Sequence, residues 1–166
     1  GPAALMAADK LSSSGISVTL FEKRKSLGRK LVIAGSSGLN VTFDLPLNEF
    51  SKKYTGPQSF WSAIFKNFSP QDWLKFIESL GIKTFKGTSD RYFIEGMKAP
   101  PLISAWKKKL SSHHVKWHLL QECVDFKLSN SHQVTLQFKD GSFENFDAVL
   151  FCLGGASWEP ANEPIS

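Results

Sequence analysis

The first four residues, Gly1-Pro2-Ala3-Ala4, constrain the fold most strongly, because they match the end of a G-x-G-x-x-[G/A] dinucleotide-binding turn. Residues 3–14 have apolar side chains at the i, i+3, i+4, i+7 spacing of a helix, and the glycine at position 15 is typical of a helix end. Residues 17–21 alternate as a strand that leads into Glu22. This order predicts a phosphate-binding α/β fold whose first strand is not in the chain.

Glu22 stands 21 residues after Gly1, close to the offset at which dinucleotide folds place an acid on a ribose hydroxyl. Gly1 would let the backbone approach a pyrophosphate, and the helix N-terminus would attract that anion. A carboxylate at position 22 would repel a 2′-phosphate, so the pattern favours FAD or NAD over NADP. The alternative is an ordinary helix preceded by a Gly-Pro left by a tag.

Longer blocks carry a resemblance to a known family. Residues 21–42 include Gly28-Arg29-Lys30, Gly38 and Asn40, and they are followed in order by residues 87–102 (GTSDRYF to MKAPPL), Ala105-Trp106 and residues 148–158 (AVLFCLGGASW). These blocks resemble the BaiN-like, aminoacetone-oxidase-like family of FAD-dependent oxidoreductases. Family members commonly carry a basic residue and a glycine where Ser36 and Ser37 stand here, and a proline where Glu159 stands.

The resemblance implies an α/β, FAD-binding Rossmann-like domain of the glutathione-reductase type, without its first strand. Its boundaries would be residues 1–158, with an insertion at about 45–112, and residues 159–166 would be a truncated or disordered tail. The implied activity is hydride transfer between flavin and an unidentified small substrate. NAD(P)H is the candidate electron donor of the parent enzyme.

Several further residues are candidates for cofactor contacts. Lys23, Arg29 and Lys30 follow the acid, where a pyrophosphate would lie, although a solvated loop would also carry such residues. Gly154-Gly155 follows the apolar run 148–153, predicted as a buried parallel strand, and would let backbone approach the dinucleotide; a simple strand-ending turn is the alternative. The complete set of candidate cofactor-binding residues is Gly1, Pro2, Ala3, Ala4, Glu22, Lys23, Arg29, Lys30, Gly38, Asn40, Val124, Gly154 and Gly155, with Val124 presenting backbone to adenine.

The remaining elements follow from local signals. Ser69 and Pro70 predict the start of a helix over 70–80 that ends at Gly81, and a second helix is predicted over 101–110. Strands are predicted at 82–85, 91–94, 115–120, 124–128, 134–138 and 143–146, with an Asp-Gly hairpin turn at 140–141. The order predicts a three-stranded β-meander and a helical insertion. Trp61, Trp73 and Phe76 are assigned to packing rather than to isoalloxazine stacking.

The net charge of +5 raises the question of a nucleic-acid partner. The run Lys107-Lys108-Lys109 at a helix end, facing water, offers a simpler explanation, so nucleic acid is disfavoured as a partner. The second interpretation of the chain is a non-catalytic, decayed flavin fold that binds nucleic acid or a protein. The departures at Ser36, Ser37 and Glu159 favour it, whereas Glu22 and Gly154-Gly155 oppose it.

No catalytic set emerges from the sequence. The four histidines have no metal-ligand spacing, and Cys123 and Cys152 are predicted to be buried reduced thiols. Arg91 and Lys98 could face a substrate anion or the flavin, or form a salt-bridged loop. With no long apolar run and no leader pattern, we expect a soluble cytoplasmic protein that does not associate with membranes. We also expect the chain by itself to bind FAD weakly or not at all, because the strand before Gly1 is missing.

Overall fold

The computed structural model describes residues 1–129 and 133–155. These residues form six helices and eight strands, in the order α1 (Pro2–Ser13), β1 (Thr19–Glu22), α2 (Arg29–Ala34), β2 (Asn40–Phe43), α3 (Leu47–Ser51), α4 (Gln58–Asn67), α5 (Pro70–Ser79), β3 (Thr84–Lys86), β4 (Arg91–Ile94), α6 (Ala99–Ser112), β5 (Lys116–Leu119), β6 (Cys123–Leu128), β7 (Val134–Phe138) and β8 (Phe143–Phe146). They divide into two compact units, Gly1–Ile33 with Lys107–Ser166, and Ala34–Trp106. Across the described ranges, no helix is both long enough and apolar enough to cross a membrane.

In the first unit, helix α1 leads into a two-stranded parallel sheet. The helix ends as predicted at Gly15, whose φ is +80° and whose N–H donates to the carbonyl of Ser12 at 3.0 Å. The next N–H, of Ile16, donates to the carbonyl of Leu11 at 3.1 Å, which completes a Schellman motif. Strands β1 and β5 then pair in parallel. A helix packed with parallel strands is the building unit of α/β folds.

The predicted β-meander forms the second part of this unit. Strands β6, β7 and β8 pair antiparallel in sequence order. Val134, Leu136 and Phe138 on the central strand are buried, and the ring of Phe21 packs on Phe138 with centroids 4.7 Å apart. The Asp-Gly turn joins β7 to β8 through Gly141, whose φ is +87°. Burial of alternate residues shows that one face of the meander is covered.

The second unit contains an antiparallel sheet of order β2-β4-β3 with helix α5 against it. The predicted cap of α5 is a full capping box, because Ser69 Oγ accepts the Asp72 N–H at 3.1 Å and Asp72 Oδ2 accepts the Ser69 N–H at 2.9 Å. Trp73 on α5 stacks on Phe76, and both rings contact the fully buried Trp106. This cluster confirms the packing assignment of Trp73 and Phe76.

Helices α3 and α4 are joined by an aromatic cluster of their own. Phe65 is buried, and the centroid of its ring lies 5.2 Å from that of Phe50. The ring centroids of Tyr54 and Trp61 are 4.7 Å apart. The Trp61 indole N–H donates to the backbone carbonyl of Thr55 at 2.9 Å. Trp61 therefore has the packing role assigned from the sequence. Together, the parallel pair, the meander and these helices confirm the α/β class.

The apolar run 148–153 is not the buried strand that its hydrophobicity predicts. Leu150 and Leu153 are 66% and 77% exposed, and the run joins no β-ladder in the described part of the chain. A strand requires backbone hydrogen bonds to a neighbouring strand, and an apolar composition does not supply them. The run is attached instead through Phe151, whose ring lies 5.0 Å from that of Phe126 on β6.

Two predictions about single side chains need correction. Cys123 and Cys152 are free thiols, but both are half-buried rather than buried. Burial raises the pKa of the Cys123 thiol, which disfavours the reactive thiolate. In the lysine run, Lys108 is exposed as expected, whereas Lys109 Nζ lies 2.8 Å from a carboxylate oxygen of the buried Asp9. Predictions for His132, for residues 156–158 of the last block, for Glu159 and for the 159–166 tail lie outside the described residues.

Candidate cofactor-binding site

The N-terminus of α1 has the properties of an anion-binding helix end. Gly1 is its N-cap and supplies no side-chain cap, and its carbonyl accepts the first helical bond from Leu5 at 3.1 Å. Pro2 has no N–H, so Ala3 and Ala4 carry the helix N–H groups that have no intrahelical acceptor. No acidic residue stands in the first turn. The positive end of the helix dipole is therefore not neutralised by its own first turn.

Glu22 lies at this end of the helix. It is the last residue of β1, and its Oε2 is 3.9 Å from the backbone nitrogen of Gly1. Its Oε1 accepts the backbone N–H of Arg24 at 3.0 Å, which fixes the direction of the carboxylate. The side chain is 20% exposed, so it remains accessible. The structure thus brings together the two ends of the fingerprint that are 21 residues apart in the sequence.

A second group of predicted cofactor-binding residues lies at Gly154-Gly155, here called the second glycine turn. The Lys30 ammonium donates a hydrogen bond to the carbonyl oxygen of Gly155. The preceding Gly154 has a φ of +74°, a conformation that side chains rarely adopt, and a Cβ there would lie 3.7 Å from Lys30 Nζ. The structure therefore joins three predicted residues that are 125 positions apart at their extremes.

Three other predicted cofactor-binding residues of the first unit are Lys23, Arg29 and Val124. Lys23 and Arg29 are half-buried and both make polar interactions. Val124 is 54% exposed and sits at an irregularity of the β6–β7 register, between Cys123 and Asp125. Within the described residues, no side-chain hydrogen bond or ion pair links Val124 to the Glu22 or Lys30 groups.

In the second unit, Gly38 lies in a loop that is fixed to residues 97–98. The neighbouring Leu39 N–H donates to the Met97 carbonyl at 2.9 Å. Gly38 has a φ of +144°, and a Cβ on it would lie 2.6 Å from Met97 Cε. Glycine is required here for its conformation, whereas Met97 Cε ends a flexible and exposed side chain that can move away.

The charged residues of the family-like blocks contact their own unit. The Lys98 ammonium donates to the carbonyl of Ser36, and Arg91 lies over the ring of Phe43 at 5.3 Å. Asn40 is exposed at the start of β2, opposite Phe93 on β4. These contacts bring Ser36, Gly38 and Lys98 into one loop cluster, which the sequence alone does not join.

A cleft in the described part of the chain lies elsewhere. It has a volume of about 490 Å³ and is lined by Ser12, Ser13, Gly15, Ile16, Ser17, His113 and His114. His113 Nδ1 lies 3.4 Å from Ser12 Oγ and 3.3 Å from Ser13 Oγ, so this histidine is less free than a helix-end position suggests. The cleft lies at the C-terminus of α1, roughly 18 Å along the helix from Gly1. It is therefore not the fingerprint site.

Comparison with known proteins identifies the family of the chain. Residues 1–161 match the HI0933-like protein Rossmann domain. The chain belongs to this family. HI0933-like proteins form a family of FAD-dependent oxidoreductases, so the sequence resemblance is confirmed at the level of the family.

Two solved structures share the fold of this HI0933-like chain. The Diels-Alderase PyrE3 from the biosynthetic pathway of pyrroindomycins has a TM-score of 0.56 at 14% identity, over 94% of this chain and 31% of that protein. Thermovibrio ammonificans THI4 has a TM-score of 0.50 at 15% identity, over 83% of this chain and 45% of that protein. At such identities the likeness shows the fold alone. The chain spans less than half the length of either structure.

Proposed function

We propose that this chain forms the FAD-binding part of an oxidoreductase whose flavin exchanges hydride with a small-molecule substrate. The observation that carries the proposal is the 3.9 Å separation between Glu22 Oε2 and the Gly1 nitrogen at the start of α1. The ribose and pyrophosphate of a dinucleotide are neighbours, so the groups that bind them must be neighbours in the protein. Membership of the HI0933-like family supports FAD as the dinucleotide.

The residues at this position fit the adenosine side of FAD. The backbone N–H groups of Ala3 and Ala4 would donate to the pyrophosphate, with Gly1 allowing its close approach. The Glu22 carboxylate would accept ribose hydroxyls, and its charge would exclude a 2′-phosphate. These roles explain why the helix end carries neither an acidic residue nor a side-chain cap.

The other candidates have supporting roles in the proposal. FAD, when bound, would supply the hydride chemistry. The protein would orient the flavin and prevent competing reactions. NAD(P)H is the proposed electron donor. In the first unit, the groups assigned to the rest of the cofactor are the backbone of Gly154-Gly155 and Val124 and the cations Lys23 and Arg29, with Lys30 contacting the Gly155 carbonyl.

No side chain is assigned to catalysis. Arg91 and Lys98 are the charged residues of the family-like blocks, but their contacts with Phe43 and Ser36 support a structural role. A substrate anion would have to compete with those contacts. The substrate of the proposed reaction is therefore defined only as a small molecule able to exchange hydride with flavin.

The direct test is the visible absorption spectrum of the protein expressed from its complete reading frame. We expect a yellow protein that releases FAD on acid treatment, identified by chromatography. A colourless protein that also fails to take up added FAD would contradict the proposal. Nucleic-acid binding that weakens steeply with salt would then favour the non-catalytic alternative.

The Glu22→Gln variant tests the residue on which the proposal rests. Hydrogen bonds to a charged group contribute about 1.5–3 kcal/mol, so we expect FAD to bind roughly 10–100-fold more weakly. The matched control is Glu95→Gln, which removes the charge of an exposed carboxylate in the second unit. Equal FAD affinity of Glu22→Gln and Glu95→Gln, measured by quenching of flavin fluorescence, would rule out the ribose-binding role.

A further inference from the structure

The contact between Lys30 and Gly155 has an unusual context. The segment 148–153 that leads into the turn joins no β-ladder within the described ranges, and Leu150 and Leu153 are largely exposed. Strand hydrogen bonds therefore do not hold the turn in place. The Lys30 ammonium, arriving from α2, contacts the turn at the Gly155 carbonyl.

Lys30 is well placed to act as a fixed anchor. Helix α2 begins directly after Gly28, which is buried and has a φ of +73°, and Val32 N–H donates to the Gly28 carbonyl at 3.2 Å. This turn sets the direction in which the helix starts, and so the direction of the Lys30 side chain. Lys30 is itself half-buried, which limits the freedom of its ammonium.

The receiving turn is shaped for this contact. Gly154 has a φ of +74°, and the position that a Cβ would occupy lies 3.7 Å from Lys30 Nζ. A Cβ at that distance would make only ordinary van der Waals contact, so glycine serves this turn through its positive φ rather than its small size. A hydrogen bond from a charged donor is about twice as strong as a neutral one.

We propose that Lys30 is a positioning residue that holds the second glycine turn through the Gly155 carbonyl, and that it acts on FAD through this turn rather than by binding a phosphate. The role in cofactor binding rests on the proposed function, whereas the tether itself does not. Loss of the ammonium should release the turn in the absence of any cofactor. FAD would then bind less tightly because the turn must first be ordered.

The experiment compares Lys30→Met and Lys30→Arg with Lys108→Met, an exposed lysine of α6 that provides the same change of charge. All are made in the protein expressed from its complete reading frame. Cleavage by chymotrypsin within residues 150–153 is measured without FAD, and FAD affinity is measured separately. We expect Lys30→Met to speed this cleavage about threefold or more, because the released segment fits the protease more readily, and to weaken FAD binding about tenfold. Lys30→Arg should recover much of both effects, and Lys108→Met should show neither.

Unchanged cleavage in Lys30→Met would overturn the tether, and weaker FAD binding with unchanged cleavage would identify Lys30 as a phosphate ligand instead. If no variant and no wild-type protein binds FAD, the proposed function fails, but the cleavage comparison still decides the tether. If Lys30→Met does not fold, an amine-reactive reagent on the wild-type protein gives the answer. The tether requires Lys30 to be labelled more slowly than Lys108, and equal rates would overturn it.

Discussion

The ion pair between Asp9 and Lys109 provides the clearest stability prediction. Asp9 lies in α1 and is 3% exposed, whereas the Lys109 side chain, in α6, is 31% exposed. Lys109 Nζ lies 2.8 Å from Asp9 Oδ1, but that oxygen accepts no well-aligned hydrogen bond from the described residues. The contact is therefore mainly ionic, and the carboxylate is its more deeply buried member.

The difference in burial between Asp9 and Lys109 sets the expected loss of stability for each substitution. Lys109→Met keeps most of the alkyl chain but leaves a buried carboxylate without its cation. Removing one member of a fully buried pair destabilises by about 3–5 kcal/mol, and the partial exposure of Lys109 lowers the expected loss to about 2–3 kcal/mol. The corresponding fall in melting temperature is roughly 5–10 °C. Asp9→Asn should lower stability by about 1 kcal/mol, because Lys109 can turn to water.

Thermal and denaturant unfolding of the two single variants and the Asp9→Asn/Lys109→Met double variant would measure the pair. The double variant should be more stable than Lys109→Met alone, since it no longer buries an unpaired charge. The control is Lys108→Met, one residue earlier on α6 and exposed. If Lys109→Met is as stable as this control, or if Asp9→Asn is the more damaging change, then the reasoning from burial is wrong.

Two further predictions concern the second unit. Gly38→Ala should lower stability by about 1–3 kcal/mol, mainly because the φ of +144° disfavours a side chain, since the Met97 Cε that the new methyl group would meet at 2.6 Å ends a flexible side chain. Adding Met97→Ala should therefore recover little of the loss, and full recovery in unfolding experiments would contradict the backbone explanation. In the capping box, bonds from Ser69 hold the pKa of Asp72 below its ordinary value of 3.8, so the carboxylate stabilises the fold above that value and loses this effect as pH falls through the lower folded-state pKa. The melting-temperature difference between wild type and Asp72→Asn should thus be present at neutral pH and disappear in strong acid, and a difference independent of pH would show that the charge is not involved.

Signals that depend on a residue's own conformation predicted the local structure well. Gly15 and Gly81 end their helices with φ values of +80°, and Ser69 caps α5 as its sequence position indicates. The Asp-Gly turn at Gly141 joins two strands of the meander. In each case the chemistry that decides the structure lies within a few residues. Such features can be read from a single sequence.

The predictions that failed depend on distant parts of the chain. The run 148–153 is apolar enough for a buried strand, but a strand also needs a partner, and the described residues provide none. Lys109 looked like a solvated helix-end cation because Asp9, its counter-ion, is 100 positions away. In the candidate site, Glu22 Oε2 lies 3.9 Å from the Gly1 nitrogen, because the helix and strand between the two residues return the chain to the helix start. The Lys30–Gly155 contact could not be predicted, because every residue has a backbone carbonyl and the sequence does not show which one a lysine contacts.

These contacts also change how the net charge of +5 is understood. Among the described residues, the ammonium groups of two lysines donate to backbone carbonyls in glycine-containing loops, and at least five others lie beside carboxylates; these are Lys30, Lys98, Lys52, Lys75, Lys86, Lys109 and Lys139. Hydrogen bonds to Asp44 and Asp90 raise the pKa of Lys86 above its usual range. A surface that binds a polyanion needs cations that can exchange their counter-ions for phosphates. Lysines paired with carboxylates add nothing to the net charge, so the excess rests on the other cations. Two of these, Lys30 and Lys98, already donate to backbone carbonyls of the protein, and we propose that they serve the architecture of the loops and not a nucleic-acid partner.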